Sequence, residues 1–363
     1  MLEKGKISGT EITYLMTSFI LGTSVLLPPG LGVKQQAWQA VIGGMLESGF
    51  FVWIYIVLLS RFPGKTGVEI IETVFGRLVG KLLATLYILY LFLLGTVVTR
   101  NTMDFIKFTL LEQTPVTVIL LVGLVACVYL VKSGVEVLGR CSQALLLLTW
   151  AMFLFVTFLL IPEVHFDNYF PLFEIPVVKL LGASHAAAAF PFAETVAFLM
   201  VFPFLNRKAQ AGKSAFTSLC LGGLYLVLTS LRTVGVLGES AGVILYPAYH
   251  VARLIDVAQV FTRLEILVAV NFLTMSFLKI SVLLYGSVLG TAQLLKLSNY
   301  QPFVFPVGTL MAIMTLFVFD NVMENIEFAQ KVYPVYAPLV SMGIPALTLI
   351  VALLRRLPKE SNA

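Results

Sequence analysis

Charged side chains are scarce in this 363-residue chain. Asp, Glu, Lys and Arg together make up 12% of it, roughly half the share in an ordinary globular domain. With 59% hydrophobic residues and a mean hydropathy of +0.95, this composition excludes a soluble globular domain, a disordered chain and a coiled coil. The net charge of +5 is too small and too dispersed to indicate nucleic-acid binding.

Cysteine and histidine are equally rare, with three residues of each. Cys127, Cys141 and Cys220 have no metal-binding or redox spacing, which predicts reduced packing residues. The three histidines are isolated in the sequence. We therefore expect no metal site and no cofactor. The motifs of the common hydrolases, metalloproteases and nucleotide-binding proteins are also missing, so we expect no enzyme.

Long apolar runs are what the chain has in abundance. They are unbroken rather than alternating, which excludes a membrane β-barrel and predicts a polytopic all-α membrane protein. Ten segments reach the length of a spanning helix: residues 12–33, 37–60, 82–99, 116–131, 144–161, 180–205, 215–237, 265–295, 303–319 and 335–354. No loop is long enough for a separate domain, so residues 1–363 are predicted to form a single integral membrane domain.

The basic residues predict the orientation of these spans. Of the 24 Lys and Arg, fifteen fall in one set of loops, six in the opposite set and three within spans. Because cytoplasmic loops are enriched in Lys and Arg, both termini are predicted to be cytoplasmic.

Two of the ten spans contain helix-breaking residues. The first includes Gly22, Thr23 and Ser24 shortly before Pro28, and the sixth includes the sequence Phe190-Pro191-Phe192-Ala193-Glu194. Each break alone would favour a simple proline kink. Their positions, five spans apart, instead predict two five-helix halves of opposite topology, residues 11–161 and 180–355, with a ligand site between discontinuous helices 1 and 6.

Three ionisable residues fall near the middle of spans: Glu47, Glu194 and Lys279. A charge at the bilayer centre costs about 2.5–3.5 kcal/mol on insertion scales, so each needs a partner or a role. Lys279 is predicted either to contact a ligand or to form a structural ion pair with Glu47 or Glu194. Glu194 is predicted either to act at the helix break or to bond backbone donors freed by Pro191.

Two further charges lie nearer the ends of spans. Arg100 and Asp104 are four residues apart, which predicts an ion pair along one helix face. Arg232 lies within two turns of the end of its span and is predicted to reach the headgroup region.

The two breaks and the ten-span count resemble the amino acid–polyamine–organocation transporter superfamily. Within it, the chain is similar to the spore germination permease family, the B subunits of bacterial spore germinant receptors. The stretches that carry this second resemblance are Lys6-Ile7-Ser8, residues 107–115 and Phe277-Leu278-Lys279-Ile280-Ser281.

The resemblance implies a sensor in the spore inner membrane or the bacterial cell membrane. It would bind a small germinant, often an amino acid, and work with an A subunit and a C-subunit lipoprotein. Many relatives carry Gly where this chain has Phe192, which implies a smaller pocket or a different ligand preference.

The predicted ligand site combines the two breaks with two neighbouring spans. Its residues are Gly22, Thr23, Ser24, Leu94, Pro191, Phe192, Ala193 and Lys279, with Glu47 and Glu194 as coupling or structural charges. A proton-coupled amino-acid transporter is the alternative function, and a structural or channel subunit without a ligand is a third.

Overall fold

The computed structural model describes residues 3, 5–255 and 263–358. Within these ranges all regular structure is helical, apart from one isolated bridge between Ile7 and Leu205. The α-helices are α1 (Gly9–Leu21), α2 (Ala37–Arg61), α3 (Gly67–Phe75), α4 (Arg77–Phe105), α5 (Val116–Lys132), α6 (Val135–Leu159), α7 (Val177–Ala187), α8 (Ala211–Leu237), α9 (Pro247–Arg253), α10 (Glu265–Leu294), α11 (Gln301–Phe317), α12 (Val322–Glu327), α13 (Tyr333–Pro338) and α14 (Ile344–Leu354).

Six helical stretches of the described chain are long and apolar enough to cross a membrane. They are Leu31–Arg61, Arg77–Leu110, Val135–Leu159, Lys208–Gly242, Glu265–Leu294 and Val322–Leu354. The apolar helices α5 and α11 are shorter, at 17 residues each. Large apolar side chains on outward faces, such as Val122 and Phe317, are exposed, as expected of surfaces that meet lipid.

Local sequence explains where the first helix begins and ends. Ser8 and Glu11 form a reciprocal capping box, in which each side chain accepts a hydrogen bond from the other residue's backbone amide. α1 ends at Leu21, and Gly22 has the non-helical dihedrals φ 17° and ψ −119°. A short 3₁₀ turn, Gly22–Val25, continues the chain.

The sixth predicted span is interrupted at proline. α7 ends at Ala187, a π-helical turn spans Ala188–Phe192, and a 3₁₀ segment continues over Ala193–Met200. Phe190 has φ −130° and ψ 120°, the extended geometry that a following proline imposes on its neighbour. Farther along, Ile7 exchanges backbone hydrogen bonds with Phe204 and Asn206, which ties the start of α1 to this segment.

α10 lies at the centre of the bundle. Every residue from position 278 to position 290 is buried. α10 contacts α1, the 3₁₀ turn Gly22–Val25, the segment Ala193–Met200 and α4. Both interruptions therefore lie against the same central helix, which is the arrangement that positions the site described below.

Within the described residues, the loops at about 162–179 and 239–263 contain short helices. Two 3₁₀ turns, Ile161–Glu163 and Phe166–Tyr169, lie in one loop. α9 lies in the other loop, of which residues 256–262 fall outside the described residues.

The crossing of α2 and α7 depends on Gly44. A Cβ at this position would lie 2.7 Å from the backbone nitrogen of Ala188 and 2.8 Å from the carbonyl carbon of Ala187. Because backbone atoms cannot move aside cheaply, Gly44→Ala is expected to destabilise the protein by about 1–3 kcal/mol.

The matched control is Gly182→Ala in α7, where a Cβ would meet nothing within 4 Å. It is expected to be neutral or to stabilise by roughly 0.5–1 kcal/mol, since alanine restricts the unfolded chain more than glycine. The midpoint of thermal unfolding of the purified protein measures both variants. Equal midpoints would show that the crossing tolerates a side chain at Gly44.

Candidate functional site

A buried ion pair joins the second interruption to the central helix. Nζ of Lys279 in α10 donates a hydrogen bond to Oε2 of Glu194, which follows the sixth-span break. Their side chains are 0% and 1% exposed. A charge buried this deeply requires an opposite charge or hydrogen bonds around it, so each group accounts for the presence of the other.

The first interruption gives the lysine its space. A Cβ at Gly22 would overlap Cδ of Lys279, so the stem of the lysine crosses directly over the glycine. The ammonium then lies 5.0 Å from the ring centre of Phe19 and 5.2 Å from that of Phe190. These rings add cation–π attraction to the ion pair, and they bring both interruptions to the same ammonium group.

Two tyrosines extend the cluster to other helices. The hydroxyl of Tyr333 in α13 donates to Oε1 of Glu194. The hydroxyl of Tyr90 in α4 lies 3.4 Å from that of Tyr333. Glu194 is thereby linked to α10, α13 and, through Tyr333, α4. Neither tyrosine is predicted from the sequence, because a tyrosine in an apolar span carries little signal of its own.

The predicted residues of the first break are buried beside this cluster. The hydroxyls of Thr23 and Ser24 have no hydrogen-bond partner among the described residues. The backbone amide of Gly22 donates to the carbonyl of Ser18, so it is not free to bind a ligand. The unpaired hydroxyls are therefore the polar groups that this break offers to a ligand.

The predicted residues of the sixth break form an apolar wall. Pro191, Phe192 and Ala193 are all buried, and the carbonyl of Phe192 accepts a hydrogen bond from Thr195. Leu94 is buried on α4, one turn beyond Tyr90 and hence on the same helix face.

Glu47 is not part of the cluster. Its Oε1 lies 2.7 Å from Nδ1 of His185, and the two side chains are 33% and 46% exposed. Of the two carboxylates considered for Lys279, the structure therefore pairs the lysine with Glu194.

Only three basic side chains are buried within the described ranges: Arg100, Arg232 and Lys279. The predicted pair of Arg100 and Asp104 is confirmed, with Nε of the arginine 3.0 Å from both carboxylate oxygens. Nη1 of Arg100 also donates to the carbonyl of Phe319 just beyond α11. This pair therefore fixes α4 to the end of α11.

Arg232 differs from the prediction. It is 6% exposed and points inward rather than toward headgroups. Its guanidinium carbon lies 4.9 Å from the ring centre of Phe153, and Nη1 donates to Oγ1 of Thr157. Both partners belong to α6, which offers the arginine a ring face and a hydroxyl inside the bundle.

Comparison with known proteins identifies the family. The family model described as "Spore germination protein" matches residues 6–323. The chain belongs to the spore germination permease family. Spore germination protein KB of Bacillus subtilis (strain 168) is 26% identical over 369 aligned residues, which cover 99% of this chain and 98% of that protein. The resemblance inferred from the sequence is confirmed, and with the six apolar helices it identifies an integral membrane protein.

Solved transporter structures share the fold. MHP1, a nucleobase-cation-symport-1 family transporter in a closed conformation with bromovinylhydantoin bound, has a TM-score of 0.68 at 12% identity, over 97% of this chain and 80% of that one. MhsT in complex with L-phenylalanine has a TM-score of 0.60 at 13% identity, over 98% and 99%. At such low identity the likeness shows a common fold and nothing more.

The ion pair predicts a strong thermodynamic coupling. Lys279→Met or Glu194→Gln alone leaves one buried group without its partner and is expected to cost about 3–5 kcal/mol. The double variant removes both charges and is expected to be within about 1–2 kcal/mol of the unaltered protein.

Thermal unfolding midpoints of the four proteins measure this coupling. Tyr333→Phe is the control for loss of a single hydrogen bond and should cost only about 1 kcal/mol. Purely additive effects of the two charge substitutions would contradict a direct pair.

Proposed function

We propose that this chain is the germinant-sensing B subunit of a spore germinant receptor. The observation that carries the proposal is the Lys279–Glu194 pair, which lies where both helix interruptions meet in a protein of the spore germination permease family. The proposed ligand is a small molecule with a carboxylate, most simply an amino acid. It binds between the interrupted helices and takes the place of Glu194 as the partner of Lys279.

The proposed membrane topology has ten spans in two inverted five-helix halves. Six long apolar helices, the shorter helices α5 and α11, and the two interrupted helices add up to this number. The division at residues 11–161 and 180–355 and the cytoplasmic position of both termini belong to the same proposal. It rests on the matched breaks and on the distribution of Lys and Arg.

The partners follow from the proposed role. A sensor buried in the spore inner membrane has to pass its change of state to other proteins, and the proposed partners are the A subunit and the C-subunit lipoprotein of the receptor. The chain is proposed to act without catalysis and without a cofactor.

A proton-coupled amino-acid transporter is the second candidate. It is favoured by the fold shared with MHP1 and MhsT and by the buried carboxylate of Glu194, since buried ionisable groups in membrane proteins often lie on transport pathways. Uptake into liposomes driven by a proton gradient would support it. Ligand binding without uptake would support the sensor.

The binding proposal is tested by thermal shift of the purified protein with amino acids, nucleosides and sugars. Because a ligand of the folded state stabilises it by mass action, a carboxylate ligand is expected to raise the unfolding midpoint with dose. Lys279→Ala should abolish the shift, whereas Glu47→Gln, which alters the separate pair with His185, should retain it.

The same variants can be compared in spores of a strain in which they replace the chromosomal gene. Loss of the germination response with Lys279→Ala, at unchanged protein level, is the expected result. A ligand whose thermal shift and germination response both survive Lys279→Ala would place the binding site elsewhere.

A further inference from the structure

Arg232 is a buried cation that has no carboxylate partner among the described residues. Of the three buried basic side chains in the described ranges, Lys279 pairs with Glu194 and Arg100 pairs with Asp104. For Arg232 the described residues contain no acidic group within ion-pair distance. A buried charge of this kind normally lies against an opposite charge, so the missing counter-charge has to be explained.

The guanidinium also keeps unused hydrogen-bond donors. Its one hydrogen bond to a described residue runs from Nη1 to Oγ1 of Thr157, 3.0 Å away, and Nε has no partner. Nε and Nη2 form the side edge of a guanidinium, which matches the two oxygens of a carboxylate. The Phe153 ring lies against the group, with its centre 4.9 Å from the guanidinium carbon.

Arg232 and the Lys279–Glu194 pair have no contact residue in common within the described part of the chain. Ser214 near the start of α8 donates to the carbonyl of Gly9 at the start of α1. Arg232 lies five turns farther along α8, at the opposite end of the bundle. A loop closes over that end: Tyr169 donates to the carbonyl of Leu231, and Asn168 donates to that of Gly235, at 3.0 and 2.8 Å.

We propose that Arg232 is the anchor of a second anion-binding site, which takes the carboxylate of a small organic acid at the loop-covered end of the bundle. Thr157 orients the guanidinium, and Phe153 shields its face. A bound carboxylate supplies a counter-charge that none of the described residues provides there.

Acetate is the simplest probe, because it has a carboxylate and no amino group. The unfolding midpoint of the detergent-purified full chain is measured in sodium acetate and in sodium chloride at matched concentrations. Acetate is expected to raise the midpoint with dose, and to raise it more than chloride does. Equal responses to the two salts would overturn the proposal, since a general salt effect does not distinguish carboxylate geometry.

Substitutions at Arg232 and Thr157 test whether the acetate-induced rise in the unfolding midpoint depends on Arg232. In the double variant Glu194→Gln, Lys279→Met, which lacks the Lys279 site, Arg232→Gln is expected to abolish the difference between acetate and chloride. Arg232→Lys keeps the charge but loses the two-donor edge, and is expected to weaken the apparent affinity about tenfold, a difference of roughly 1.4 kcal/mol. Thr157→Val, which leaves the arginine in place, should also weaken it.

The control separates this site from the Lys279 site. The double variant Glu194→Gln, Lys279→Met removes the buried pair and is expected to leave the acetate response intact. Loss of the response in the double variant, with retention in Arg232→Lys and Thr157→Val, would place acetate at Lys279 and overturn the Arg232 site. If Arg232→Gln does not fold, the lysine and valine variants decide the question.

Discussion

The pairing of Lys279 with Glu194 is the constraint on which the centre of the structure depends. A full charge on the most buried helix is tolerated only with an opposite charge at contact distance, and that requirement shapes both interruptions. Gly22 removes the side chain that would block the lysine stem. Glu194, which follows the break at Pro191, contacts the ammonium group of Lys279. The phenyl rings of Phe19 and Phe190 lie beside the same ammonium group. The irregular backbone therefore lies beside the buried charges of Lys279 and Glu194. Membrane proteins tolerate irregular backbone where it is buried in protein.

Glu194 also connects the pair to the irregular helical stretch Val322–Leu354. Its second oxygen is held by Tyr333, which begins α13 within the stretch Val322–Leu354. That stretch contains two π-helical turns, Phe328–Val332 and Leu339–Gly343, and such turns interrupt the regular ladder of backbone hydrogen bonds. A ligand that competes for Lys279 would alter the bonding of Glu194 and hence of Tyr333. Under the proposed function, this stretch is the first element to respond.

Sequence reasoning reached the membrane class, the family and the residues of both breaks, because composition and proline positions are local properties of the chain. It left the partner of Lys279 open, since Glu194 is 85 positions away and Glu47 was an equal candidate. Only the packing places Glu47 against His185 instead. The roles of Tyr333 and Arg232 are unpredictable for the same reason. The sequence of an apolar span does not show whether the polar end of a side chain points into the bundle or toward the membrane surface. Four of the ten predicted spans are not among the six long apolar helices of the described chain: the two interrupted helices and the short helices α5 and α11.

The cost of opening the pair bears on the choice between sensing and transport. A transporter has to separate or neutralise Lys279 and Glu194 in every cycle, so a tight, fully buried pair would slow each turnover. A sensor has to separate Lys279 and Glu194 only when a ligand binds. Without a ligand, the attraction between the two residues keeps the sensor in one state. A ligand shifts such an equilibrium only by the difference in its affinity for the two states. Under the proposed function, a carboxylate ligand takes the place of Glu194 at Lys279, so the ammonium keeps an anionic partner and Glu194 keeps its hydrogen bond from Tyr333. Under the proposed function, the buried Lys279–Glu194 pair therefore fits a switch that opens when a ligand replaces Glu194 better than a carrier that opens in every cycle.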